Sequence, residues 1–198
     1  MPLLKDHLLA RILGNLTNDH TFTDQDHTTI RLQHNRIYKH QTLHINYTSY
    51  DMHHLQDTMN PYSEHCDIMV LADEEPGTDA HPYWYAHIIR IFHINIFHVG
   101  PDLSTSPNEA WRMDVLWVRW FGHDTNYQSG FTACHLPWIG FFNGSEDHTF
   151  GFLDPNQVIW AAHLMPAFSQ GHTRELLGPS IAHNRKVEEE WLKYYVGM

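Results

Sequence analysis

"HPYWYAHIIRIFHINIFHVG", residues 81–100, decides the fold. Aromatic and β-branched residues run from Trp84 to Phe92 and again from His93 to Val99. Such side chains fit a pleated, half-buried surface, so the stretch reads as two strands or as one long bent strand. Gly100 and Pro101 end it. The strongest single strand follows, MDVLWVRWF, residues 113–121. Alternation puts Met113, Val115, Trp117 and Phe121 on one face, and Leu116, Val118 and Trp120 on the other. Apolar residues on both faces require a sheet that is covered or curled round on itself.

Upstream, Leu43, Ile45 and Tyr47 alternate with His44, Asn46 and Thr48, the mark of a half-buried strand. Asp67–Ala72, Trp138–Phe142 and Gln157–His163 supply further short strands, with a turn at Asp154 and Pro155. Residues 188–196 fit either helix or strand. Near the N-terminus, Leu4, Leu8 and Ile12 recur at spacing four before Gly14, which predicts a short amphipathic helix. Thr23 precedes Asp24 and Asp26 and predicts a capped turn. The expected fold is mainly β within the α+β class: a small bent-sheet, partly open barrel with short N-terminal helical segments. Ile88, Ile91, Phe92, Trp117, Val118 and Val158 are its expected core. The acidic DEEPGTD, residues 73–79, reads as a linker, and Ser104–Asn108 as a polar loop. They suggest an N-terminal extension over 1–79 and a β-rich, barrel-like domain over 80–198.

With 198 residues, 42% of them hydrophobic and 13% aromatic, the chain can bury a sizeable core. The formal charge of −11 is spread over both parts, −7 for residues 1–80 and −4 for the rest. Neither part has the positive charge that drives binding to a phosphate backbone, so direct nucleic-acid contact is disfavoured. Two cysteines, Cys66 and Cys134, make no disulfide framework and fit an intracellular setting. No run approaches the length of a membrane span or of a signal-peptide core.

Nineteen histidines raise the question of a metal. On one straight strand only positions of equal parity share a face. His93 and His98 then point apart. His87 and His93 share a face but lie about 20 Å apart at roughly 3.3 Å per residue. HExxH, Cys-x-x-Cys and mixed Cys/His zinc spacings do not occur. We therefore expect no metal, no cofactor and no catalytic residues. Cys134 beside His135 reads as a buried structural thiol, and Glu146–Asp147 as a solvated loop pair.

Several stretches together resemble a known group. "NRIYKHQTLHINYTSYDMHHLQDTMNP", "DIMVLA", "HPYWYAHIIRIF", "MDVLWVRWFG", "FGFLDPNQVIWAAHLMPAF", "LLGPSIA" and "WLKYYVGM" occur in this order. They resemble the C-terminal region of mushroom-type fungal transposon-associated proteins, of the Kyakuja–Dileera–Zisupton or CACTA type. The resemblance spans nearly the whole chain. It implies a product of mobile elements with no assigned activity, and a chain that continues past Met198 in the family. More loosely, IIRIF (88–92), VRWF (118–121) and the segment Val158–Leu164 resemble bromo-adjacent-homology domains, which implies chromatin or protein binding in the nucleus.

The expected role is a non-enzymatic chromatin- or protein-interaction module. The alternatives are a hydrolase or nuclease accessory fragment using His and carboxylates from distant segments, and a degenerate copy without activity. If the two aromatic strands pair antiparallel, the start of one meets the end of the other. Trp84 and Tyr85 would then share a rim with Trp120, Phe121 and Asp124. Such a group can hold a methylated ammonium by cation–π attraction, whereas in the plainer reading these aromatics are core and edge packing.

Overall fold

Two long antiparallel strands, Tyr83–His98 and Trp111–His123, form the spine of the molecule. The computed structural model describes residues 2–14, 22–48, 54–72, 81–99, 109–124, 126–129, 133–183 and 189–197. The expected linker 73–79 and the loop 104–108 lie outside them. In chain order the first strands are β1 (Ile30–Leu32), β2 (Tyr38–His40), β3 (Leu43–Thr48), β4 (His54–Met59) and β5 (Asp67–Leu71). The spine strands are β6 and β7. Then come β8 (Trp138–Phe141), β9 (Phe150–Leu153), β10 (Val158–Ala161) and β11 (His163–Pro166). The last are β12 (His172–Thr173), β13 (Glu190–Trp191) and β14 (Tyr194–Gly197). Helices are α1 (Pro2–Leu13) and α2 (Asp24–Thr28). In the undecided C-terminal stretch, Glu190–Trp191 and Tyr194–Gly197 are strands, and the long bent reading of 83–98 is the correct one.

The main sheet runs β10-β5-β6-β7-β8-β14-β11, with β1 and β2 also on β6 and β9 also on β7. Its two ends are chain neighbours. Only Ala162 separates β10, which pairs with β5, from β11, which pairs with β14. One continuous segment thus borders both ends of the sheet, and the Ala162 amide donates to the Asp67 carbonyl at 2.8 Å. β10 and β11 do not pair with each other, so the sheet curls into a mainly β, partly open barrel rather than a closed one. Strands β1, β2 and β5, from the N-terminal part of the chain, share this sheet with the later strands.

The register of β6 shifts between Ile88 and Arg90. One extra residue bends the strand and changes the phase of its faces. As a result Tyr85, His87, Phe92, Ile94 and Ile96 share one face, opposite Phe121, Arg119, Val115, Met113 and Trp111. His87 and His93 therefore lie on opposite faces, contrary to the straight-strand expectation.

Three cores follow. On one face of the distal half of the spine, Phe92, Ile94, Ile96, Met113 and Val115 pack under Leu4, Leu8 and Leu9 of α1. The helix ends at Gly14, whose φ of +69° suits a residue without a Cβ. On the other face, Ile88, Ile91, Leu116 and Val118 pack with Met59, Ile68, Val70, Leu153 and Val158. The third core fills the barrel. Met69, Tyr85, Phe121, Ile139 and Val196 come from five different strands, and Ile159 and Leu164 pack on them from β10 and β11.

Five of the six expected core residues are buried: Ile88, Ile91, Phe92, Val118 and Val158. Trp117 is only half-buried. It borders a cavity of about 330 Å³ shared with Pro2, Leu3, Leu4, Phe150 and Phe152, so α1 does not seal over its ring. Cys134 also departs from expectation: it is exposed, and Cys66 is the buried thiol. Glu146 and Asp147 are exposed, as a solvated loop requires.

Candidate functional site

The antiparallel register of β6 and β7 places Ala86 opposite Trp120 and Tyr85 opposite Phe121. Trp84, two residues before Ala86, therefore falls on the Trp120 face. The two indoles meet at 5.7 Å between centroids and 84° between planes. They form a right-angled corner on the outside of the barrel, and Trp84 is 37% exposed. Glycines make room on this face. A Cβ at Gly151 would come within 2.7 Å of the Trp120 indole nitrogen, and one at Gly122 within 2.8 Å of the Phe142 ring.

The other three residues of the expected rim lie elsewhere. Tyr85 and Phe121 are buried in the barrel core, where burial pushes the Tyr85 hydroxyl up to about 12. The Asp124 carboxylate accepts from Lys193 Nζ at 2.9 Å, which holds it below the usual carboxylate range. The five-membered cage is thus not assembled: alternation sends neighbours along a strand to opposite faces. What converges is the pair Trp84 and Trp120.

Behind this corner, inside the barrel, lies a layer of charge that sequence reading missed. From the apolar core, two residues along the strands lead to Asp67 on β5, His87 on β6, Arg119 on β7 and Tyr194 on β14. Arg119 is fully buried. Its Nη1 donates to Glu190 Oε1 at 2.5 Å, its Nη2 to the Phe142 carbonyl at 3.3 Å, and its Cζ lies 4.1 Å over the Phe141 ring. His183 Nδ1 lies 3.3 Å from Glu190 Oε1, and its Nε2 is 3.0 Å from both the Leu177 and the Gly178 carbonyl. His87 Nδ1 is 2.8 Å from Asp67 Oδ1. Burial, the largest single effect, opposes the His87 imidazolium, but the contacts with Asp67 and Cys66 together outweigh it and raise the pKa to about 10. Burial, with Asp67 and Glu190 nearby, also raises Tyr194.

Cys66 Sγ sits 3.5 Å from His87 Nδ1 and 3.9 Å from Nε2. A cysteine nucleophile needs an imidazole able to take its proton. Here the imidazole is already charged and burial pushes the thiol up, so the pair is inert near neutral pH. The layer contains two anions and two cations, matched pairwise. Such a layer is costly to desolvate, and its partners hold one another in place. Among the described residues, the buried Arg119 Nε and Glu190 Oε2 find no hydrogen-bond partner.

A second histidine group lies on the outer face of the sheet, at its distal end. β2 pairs with β6 so that His40 is opposite Ile91 and Tyr38 opposite His93, while β7 sets Asp114 opposite His93. His40 Nε2 and His93 Nδ1 are 2.7 Å apart. Burial, then Arg112 and His40, lowers the His93 pKa. Spacing along a single strand cannot reveal this group, because its members come from three strands. The parity argument concerns pairs along one strand and does not reach a group assembled from three.

The apolar cavity beside α1 has no ionisable side chain in its lining. Among the described residues no helix is long and apolar enough to cross a membrane. No family model, no curated protein and no solved structure matches the chain.

Proposed function

We propose that the chain is a non-catalytic recognition module that holds a lysine-bearing segment of chromatin or of another protein. The observation that carries this reading is the Trp84–Trp120 corner, two perpendicular indoles on an outer sheet face. An ammonium group seated against an indole face gains about 0.5–2 kcal/mol, more as it sheds water. The formal charge of −11 favours encounter with basic segments and disfavours nucleic acid. The motif resemblance to fungal transposon-associated proteins gives this reading a setting, a mobile-element-derived protein acting in the nucleus.

The hydrolase or nuclease reading would draw on the convergent groups His40, His93, Asp114 and Cys66, Asp67, His87, and the second of these is not poised for it. The buried His87 is charged and the buried Cys66 protonated, so neither supplies a base or a nucleophile near neutral pH.

A peptide series tests the proposal. Histone-tail peptides carrying trimethyl-lysine, unmodified lysine or a neutral tert-butyl isostere of trimethyl-lysine are titrated calorimetrically. Saturable binding in the order trimethyl-lysine, lysine, neutral isostere is expected. Equal affinity for the charged and neutral forms, or no binding, would overturn it.

A further inference from the structure

We infer that His40, His93 and Asp114 form a site for one divalent transition-metal ion of the zinc class on the outer face of the sheet. The three side chains come from adjacent strands β2, β6 and β7, and their donor atoms all lie within 4.8 Å of one another. Backbone register fixes two of the relations. Asp114 is directly opposite His93, and His40 is its diagonal neighbour across β2. Tyr38 stacks on the His93 ring at 4.8 Å and 10°, which restricts its rotation. A site on paired strands is positioned more firmly than one on a loop.

The donor set selects the metal. Two imidazoles and one carboxylate suit zinc and its neighbours, whereas calcium and magnesium prefer oxygen donors throughout. Ligand bonds of about 2.0–2.2 Å to a tetrahedral ion place donors roughly 3.3–3.6 Å apart. The 2.7 Å contact between the imidazoles must therefore open by less than about 1 Å. That contact holds one proton between two nitrogens. On metal binding this proton moves to the other nitrogen of its own ring, so both imidazoles stay neutral and both lone pairs face the ion. Asp114 Oδ1 now accepts from Arg112 Nη2 at 2.9 Å and from Nε at 3.3 Å. Both partners are about half exposed, so the pair is weak and yields readily to a bound cation. Three protein ligands leave the fourth position to water.

The other convergent group, Cys66, Asp67 and His87, has the same compactness. There a metal must first displace two protons, since a ligand imidazole is neutral and a ligand thiol ionised. His87 is an imidazolium in its pair with Asp67, and burial keeps Cys66 a thiol.

The test uses the full chain without a polyhistidine tag, dialysed against a weak chelator and then loaded with Zn²⁺ or Co²⁺. One equivalent of zinc should survive a second dialysis. The cobalt form should show visible d–d bands without a sulfur-to-cobalt charge-transfer band. His40→Gln, His93→Ala and Asp114→Asn, each checked for native circular dichroism, should each weaken binding by at least about tenfold. Cys66→Ser should bind as the native chain does. Loss of all metal on dialysis would overturn the site. So would a sulfur charge-transfer band, or affinity unchanged in His93→Ala and His40→Gln.

Discussion

The two halves of the β6–β7 spine use the same strands and the same alternation to enclose different interiors. The distal half packs Phe92, Ile94, Ile96, Met113 and Val115 under α1, with no charge among them. The proximal half holds an apolar plug and then Asp67, His87, Arg119 and Glu190. A helix can seal a sheet face with leucines alone. A barrel only partly closed by the segment 158–166 is held, in addition, by directional side-chain bonds. Arg119 ties β7 to Glu190 on β13, and His87 ties β6 to Asp67 on β5.

The largest expected effects separate these two kinds of core. Phe92→Ala should destabilise by about 3–5 kcal/mol, the cost of a large cavity. Arg119→Ala should cost a similar amount, about 3–5 kcal/mol, because it strands the Glu190 carboxylate in the barrel. Only the second loss has a cure. Arg119→Met combined with Glu190→Leu should return to within about 1 kcal/mol of the native chain in urea unfolding, since a buried ion pair is often replaceable by apolar residues. If the double variant is as unstable as Arg119→Ala, the layer does more than close the barrel.

The halves should also differ in pH response. His87 is raised from 6.5 to about 10 in the folded chain, so it binds its proton more tightly folded than unfolded. Its contribution to stability is complete below pH 6.5 and is lost as pH rises toward 10. His7, on α1, has the opposite sign. Burial first, then Arg11, lowers it from 6.5 to about 4, so its contribution is complete above pH 6.5 and is lost as pH falls toward 4. Melting temperature against pH should therefore peak near the 6.5 shared by both histidines when unfolded. Asp67→Asn should flatten the alkaline limb and leave the acid limb unchanged. An unchanged alkaline limb would contradict the ion-pair assignment.

A smaller effect is expected at α2, which adjoins the distal half. Thr23 accepts from the Asp26 amide, and Asp26 accepts in return from the Thr23 amide. Thr23→Ala should cost about 1 kcal/mol by thermal unfolding.

Much of the distal half was legible in the sequence. The leucine spacing of α1, the Thr23 cap and the double-faced strand at 113–121 all report local physics. The charge layer was not. Arg119 has the parity of Trp117 and Phe121, and that parity alone marks an inward residue, but an arginine between aromatics reads first as an edge residue. The partner that neutralises it, Glu190, lies 71 residues away. The bulge at Ile88–Arg90 was also invisible, and it reverses the phase of every histidine beyond it. The candidate corner was half legible. Antiparallel pairing foretold that Trp84 would meet Trp120, while alternation carried Tyr85 and Phe121 to the inside.

We propose that recognition belongs to the outer corner and stability to the inner layer. One titration tests it most directly, that of a trimethyl-lysine histone peptide into Trp84→Ala and into the Arg119→Met, Glu190→Leu double variant. Trp84 is over a third exposed, so its removal should leave the melting temperature close to native. Trp84→Ala should stay folded and lose binding, while the double variant should bind as the native chain does. Native-like binding by Trp84→Ala, or its loss in a well-folded double variant, would contradict it.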